Sequence, residues 1–346
     1  MRLLPSNYWG RITLAWSVGQ FVAVGLLEIV LAAQHATYVS NISDLRQWPN
    51  PASWNNTVSQ KDFIVGNAHA ITVYHALVCF AMLFQLVMAY DAIMNMSVIQ
   101  LVATTLFNFC VAIYTIVQNR QAANLLNDVA ERFTPNLTRH PTGVVEIVII
   151  IAMFVFFVGW AFLTYRLYNV FGWTVFKELG ADVNVRKQLM VHHVHLLLLK
   201  LDVFFFLGFS FQFVFLVLAS SNNTQDTIIH ASVATPVAIF LLILAYVAIR
   251  KENTILMIAT ILGLLAGAVY MVIKIIEVNG TSVETVTKFH SSKNSLTFFI
   301  ALTLLMTLIT CVSAVLNLMQ FGKGLRDHLE RRNRPAHSVE LYSLNK

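Results

Sequence analysis

Thr254–Ile273 reads TILMIATILGLLAGAVYMVI, twenty consecutive residues without a charge. At 1.5 Å of rise per helical residue, such a run crosses about 30 Å, the thickness of a bilayer's hydrocarbon core. Arg250 and Lys251 stand before it, and Lys274 and Glu277 after it. Extended to 254–275, it is one of eight apolar segments; the others are roughly 12–33, 66–90, 97–118, 144–166, 194–219, 231–249 and 295–320. None has the ten-residue alternation of a barrel strand.

Composition agrees. Of 346 residues, 57% are hydrophobic and 12% charged, about half the charge of a soluble domain. A water-soluble globule and a disordered chain are both excluded. The fold expected is an all-α polytopic transmembrane helix bundle of about eight spans. Residues 1–320 form a single membrane domain and 321–346 a basic cytosolic tail. Cys79, Cys110 and Cys311 all lie in apolar runs, so no disulfide framework is expected.

Two signals set the orientation. With the N-terminus cytosolic, cytosolic segments hold 14 Lys and Arg against 7 on the other side, Lys200 and Lys274 being set aside as membrane-flanking. The net charge of +6 therefore reports loop placement, and no nucleic-acid partner is expected. Glycosylation sequons begin at Asn41, Asn55, Asn136, Asn222 and Asn279, all in lumenal loops of this topology, while that of Asn95 falls in a tight cytosolic turn. Both termini are thus expected in the cytosol. A rival reading cuts a signal peptide near residues 31–36 and leaves seven spans. The run at 12–33 is longer than the 7–15 residues of a signal core, which favours eight.

Of seven prolines only Pro236 lies in a span, near its start. The paired interruptions of broken-helix transporters are missing. Gly263 and Gly267 form a GxxxG pair, which reads equally as a close-packing face or as chance.

Ionisable groups inside a membrane point to function once depth is checked. Lys200 and Asp202 precede a run at 203–219 long enough to cross alone, which puts Lys200 at the cytosolic edge. Lys274 and Glu277, three apart on one helix face, are expected to pair at the lumenal edge. Glu28 and His75 lie deeper, at matched depths in consecutive spans. They read either as a structural hydrogen bond or as a proton-handling pair. Gln20, Gln85, Asn108 and Gln212 read as interhelical hydrogen-bonding groups. His192 and His195 share a helix face and are the weak candidates for a metal. No other motif supports them, so neither metal nor cofactor is expected. Arg331, Arg332 and Arg334 in the tail suit anionic lipid headgroups and serve equally as the last positive-inside stop.

The most distinctive stretch is 168–213. It carries Gly172, Trp173, Lys177 and Gly180-Ala181-Asp182, then Lys200, Asp202, Phe204, Phe205, Phe206, Gly208-Phe209-Ser210 and Gln212-Phe213. These residues resemble an uncharacterised fungal family of multi-pass Golgi apparatus membrane proteins. The resemblance implies a Golgi address and a fungal source and implies no activity. It places whatever the family does near Gly180–Asp182 and Lys200–Asp202, on the cytosolic face. Physically, the aromatic residues beside Lys177 suit an interfacial belt.

The expectation is a Golgi or endomembrane protein acting in trafficking, sorting or membrane organisation, with the lipid bilayer as its partner. No catalytic constellation is visible, and an enzyme is not expected. The alternatives are a small-solute or proton-coupled transporter or channel, resting on Glu28 and His75, and a seven-span receptor-like protein.

Overall fold

The computed structural model describes residues 5, 7–43, 60–133, 143–179, 183–220, 230–281 and 293–321. These contain eight helices long and apolar enough to cross a membrane. They are α1 (Tyr8–Ser43), α2 (Gln60–Met94), α3 (Val98–Phe133), α4 (Gly143–Leu179), α5 (Val183–Ser220), α6 (Thr235–Lys251), α7 (Thr254–Asn279) and α8 (Lys293–Leu318). One turn of π-helix, His230–Ala234, leads into α6, and Pro236 follows in that helix's first turn, where its missing N–H is harmless. Among the described residues no strand occurs.

Two connections are tight turns. Between α2 and α3 the backbone reverses at Met96, with φ at 49°, and Ser97 N donates to Ala92 O at 2.9 Å. Between α6 and α7, Glu252 takes φ 46°. Asn253 then caps α7, its side chain accepting from the N–H groups of Ile255 and Leu256.

The helices pack as two four-membered rings. In the first, α1 meets α2, α2 meets α3, α3 meets α4, and α4 closes on α1. In the second, α5 meets α6, α6 meets α7, α7 meets α8, and α8 closes on α5. The rings join where α5 lies against α2 and α3. Phe204 is the wedge there: its ring lies 5.3 Å from that of Phe80 and 4.9 Å from those of Phe84 and Phe107. Beside it Gly208 lets α5 pass close to Leu77 of α2 and Phe299 of α8.

Burial inverts the pattern of a soluble protein. On α1 the buried stripe is Thr13, Ser17, Gln20, Val24, Glu28, Leu31 and His35, while Val18, Val22, Leu26 and Ile29 face outward. These buried positions recur every three or four residues, one helix face. Lipid is as apolar as leucine, so polar side chains gather where other helices can satisfy them. On α8 the stripe is Leu296, Ile300, Thr303, Thr307, Thr310, Ala314 and Asn317, and Thr303 and Thr307 bond back to carbonyls of their own helix.

Close approach of α1 and α4 depends on Gly159. A Cβ there would lie 2.2 Å from Cζ2 of Trp16. That indole is held by its contact with Phe156, ring centroids 5.1 Å apart. Gly159→Ala is expected to cost about 1–3 kcal/mol by overpacking, seen as a lower unfolding midpoint in detergent. An unchanged midpoint would mean that Trp16 yields freely.

Candidate functional site

The first ring holds a chain of four ionisable groups. Glu28 and His35 lie seven residues apart on α1 and so share its inner face. His75 comes from α2 and Glu146 from the first turn of α4. Nδ1 of His75 is 2.7 Å from Oε2 of Glu28. Nε2 of His75 is 2.8 Å from Nδ1 of His35. Nε2 of His35 faces Oε1 of Glu146 at 3.5 Å. Exposure is 1% at Glu28 and His75, 2% at His35 and 8% at Glu146, so all four are buried, Glu146 the least.

Proton counting gives this arrangement its chemistry. With Glu28 ionised, His75 donates through Nδ1 and accepts at Nε2 from His35 Nδ1–H. His35 Nε2 makes no hydrogen bond and faces Glu146 Oε1 across 3.5 Å. Once His35 Nε2 has taken a proton from Glu146, which requires the 3.5 Å gap to close, passing one from His35 through His75 to Glu28 exchanges the tautomers of both imidazoles in place. Gln118 on α3 lies alongside, its amide nitrogen 2.5 Å from His75 Nδ1 and 3.4 Å from Glu28 Oε2. Its oxygen has no partner. Exchanging the amide's two ends gives His75 Nδ1–H a second acceptor and satisfies that oxygen. Thr115, Gln118 and Asn119 border a cavity of about 10 Å³ against the four groups, enough for about one water molecule. Cys79 and Tyr114 are within electrostatic reach of Glu28.

Further along the ring the polar residues continue in layers. Val24, Val78, Met82, Val111, Ala112 and Met153 pack together as an apolar layer. About 12 Å from Glu28 along α1, Gln20 Oε1 accepts from Trp160 Nε1 at 2.7 Å and from Gln85 Nε2 at 3.1 Å. Asn108 Nδ2 donates to Gln85 Oε1 at 3.0 Å. Below this, the hydroxyls of Thr105 and Thr164 meet at 2.7 Å. At the far end Lys200 pairs with Asp91 and donates to Gln100 Oε1 at 2.9 Å.

The structure thus joins Glu28 to His75, and it joins Lys274 to Glu277, Nζ to Oε2 at 2.7 Å. The family-motif residues disperse. Phe204 wedges the rings together, and the Phe205 carbonyl accepts from Thr303 Oγ1 at 3.4 Å. Asp202 and Gln212 are fully buried in α5; Asp202 faces the Thr310 hydroxyl of α8, and the Gln212 amide has no hydrogen-bond partner. Trp173 and Lys177 fall in the backbone of α4, whereas Gly180, Asp182 and the tail from 322 lie outside the described residues. His195 is buried with neither ring nitrogen bonded, while the ring of His192 meets that of His193. Among the described residues no three His, Cys, Asp or Glu gather as a metal site. Of the sequons, Asn41 lies on the last turn of α1, and Asn55, Asn136 and Asn222 fall outside the described residues. Asn279 ends α7 and is exposed, its amide donating to Ile275 O and Thr297 Oγ1. Asn95 sits in the α2–α3 turn, bonded to Asp91.

His35, Glu146, Gln118 and Asp91 were not singled out from the sequence. His35 had a signal, since it stands seven residues after Glu28. Hydropathy assigned it to a connecting loop, because α1 continues past its apolar run.

No family model matches the chain, and no solved structure matches it. One curated protein does: a Golgi apparatus membrane protein of Schizosaccharomyces pombe is 24% identical over 273 residues, covering 72% of this chain and 75% of that protein. The resemblance read from the 168–213 motifs is borne out by this match to a protein of uncharacterised function.

Proposed function

We propose that this protein works in the membrane of the Golgi or a neighbouring secretory compartment as a proton-coupled transporter. Glu28, His75, His35 and Glu146 form its proton-binding centre. The observation that carries the reading is the burial of these groups side by side inside the first ring, Glu28, His75 and His35 in one hydrogen-bonded chain and Glu146 3.5 Å beyond it. Burying two carboxyls and two imidazoles costs several kcal/mol per charge, and apolar side chains would pack there without that cost. Trafficking or scaffolding makes no demand for such a chain; binding and releasing a proton does. The address rests on the name of the S. pombe relative. The lysine and arginine bias supports cytosolic termini, which puts Glu146 on the lumenal side as the entry for protons. The sequon-bearing loops, expected on the lumenal side, and the basic tail, expected in the cytosol, belong to this same picture.

Cys79 of α2 and Tyr114 of α3 are within electrostatic reach of Glu28, and Tyr74 of α2 is within reach of Tyr114; variants of these three serve as controls. The test uses the full chain in liposomes carrying an internal pH dye. Amino acids, hexoses and phosphate are added in turn under an imposed pH gradient. One solute class is expected to move protons with wild type, and that movement is expected to fall at least about tenfold with Glu28→Gln, the loss of one favourable transfer step worth about 1.4 kcal/mol. Equal proton movement by wild type and Glu28→Gln, or none with wild type, overturns the reading.

A further inference from the structure

The second ring is packed differently from the first. Where α5, α6 and α7 meet, a crevice of about 560 Å³ opens, a volume typical of small-molecule sites. It runs from His230 in the π-helical turn along α6 to Leu242, and along α7 from Lys274 to Gly263, about 17 Å at helical rise. That is roughly half of a 30 Å hydrocarbon core, so the crevice has the depth of a single leaflet.

Its two ends differ in chemistry. At one end His230 Nδ1 meets the Tyr270 hydroxyl at 2.6 Å, and His230 Nε2 lies 3.3 Å from Ser210 Oγ. Lys274 stands beside them, paired with Glu277. His230 lies just ahead of the sixth span. Burial, and then the charge of Lys274, hold its imidazole down at about 4, so it is neutral near pH 7. The other end is wholly apolar, closed where Leu241 lies across Gly263; a Cβ on that glycine would sit 2.1 Å from the leucine's Cδ2. Along the walls Ala234, Ala238, Ala266 and Gly267 present almost no side chain, and a Cβ at Gly267 would meet only Phe206, at 4.0 Å. These positions leave one smooth strip along the slot, and Phe206, Leu242 and Leu264 line the rest.

The geometry points to a sterol as the occupant, its hydroxyl among His230, Tyr270 and Ser210 and its ring system in the slot between α6 and α7. One leaflet of depth, one hydroxyl-binding end and one smooth strip of wall in an otherwise apolar slot fit a rigid lipid with a flat face and a single hydroxyl. Such a molecule loses little conformational freedom on binding. A phospholipid headgroup fits less well, because Glu277 already neutralises Lys274. The inference is independent of the proton chain in the other ring.

The test is labelling of the full-length protein in detergent with a diazirine-bearing cholesterol analogue, followed by peptide mapping. Label is expected on α6 and α7 and is expected to be competed by unlabelled cholesterol. Gly267→Leu fills the slot without striking backbone and should weaken labelling about tenfold, the loss of about 1.4 kcal/mol. Tyr270→Phe removes one hydroxyl partner and should weaken it about fivefold, as one hydrogen bond near 1 kcal/mol would. Leu262→Ala, on a lipid-facing position 63% exposed, should leave it unchanged. Thermal midpoints of the variants, compared with wild type, verify that each is folded. The proposal is overturned by equal labelling of folded Gly267→Leu, by label spread over the lipid-facing surface, or by competition from phosphatidylserine in place of cholesterol.

Discussion

Glu28→Ala is expected to destabilise the protein by about 3 kcal/mol or more, read as a drop in unfolding free energy in detergent or bicelles. The cost arises on the side chain left behind. His75 is 1% exposed, and its Nδ1 has its best acceptor, at 2.7 Å, in Glu28 Oε2. Removing one member of a buried charged pair strands the other, which costs about 3–5 kcal/mol. Gln118 can take up part of this, being within 2.5 Å of the same nitrogen. Glu28→Gln keeps an acceptor in place and should cost less than half as much, although it removes the charge. Combining Glu28→Leu with His75→Leu should recover most of the loss, because an apolar pair strands nothing. A double-mutant cycle therefore checks the mechanism as well as its size. If the single Leu variants and the double simply add, Glu28 and His75 are not coupled.

Gln20→Leu carries the second large effect, through neutral groups. Its Oε1 accepts from both Trp160 and Gln85. Trp160 and Gln20 are 0% and 1% exposed. Leucine there leaves an indole N–H and an amide N–H without acceptors. Each orphan costs about 1–3 kcal/mol in soluble proteins, and interhelical bonds within membranes fall at the lower end. A total loss of about 2–3 kcal/mol is expected, with Trp160 fluorescence changing as its N–H is released. Gln20→Glu keeps the acceptor and should lose less. A Gln20→Leu protein as stable as wild type would show that Gln85 and Trp160 re-pair with other groups.

The spans were legible because they depend on the summed apolarity of about twenty residues, which tolerates local exceptions. Helix ends were less so. α1 runs to Ser43, about ten residues past its apolar run at 12–33, since the helix continues once its backbone bonds are established. That extension carries His35 into the bundle. The Glu28–His75 pairing was legible as matched depth, and Lys274–Glu277 as spacing. The partners on other helices were not. Glu146 enters because α4 closes on α1, and Lys200 reaches Asp91 because α5 crosses the turn between α2 and α3. Such contacts follow from ring order, which hydropathy does not encode. The three consecutive phenylalanines make the point within one turn: Phe204 faces the first ring, and Phe206 borders the crevice of the second.

The two rings also bear on how the chain is made. All contacts that close the first ring lie within the first 179 residues, so that half can assemble while the second is still being synthesised. α5 then arrives as a latch, with the Phe204 ring and the Lys200–Asp91 pair as its fasteners. A gene cut between α4 and α5 should consequently yield two polypeptides that find each other in one membrane. The first would already hold its buried carboxyls and imidazoles before the second is translated.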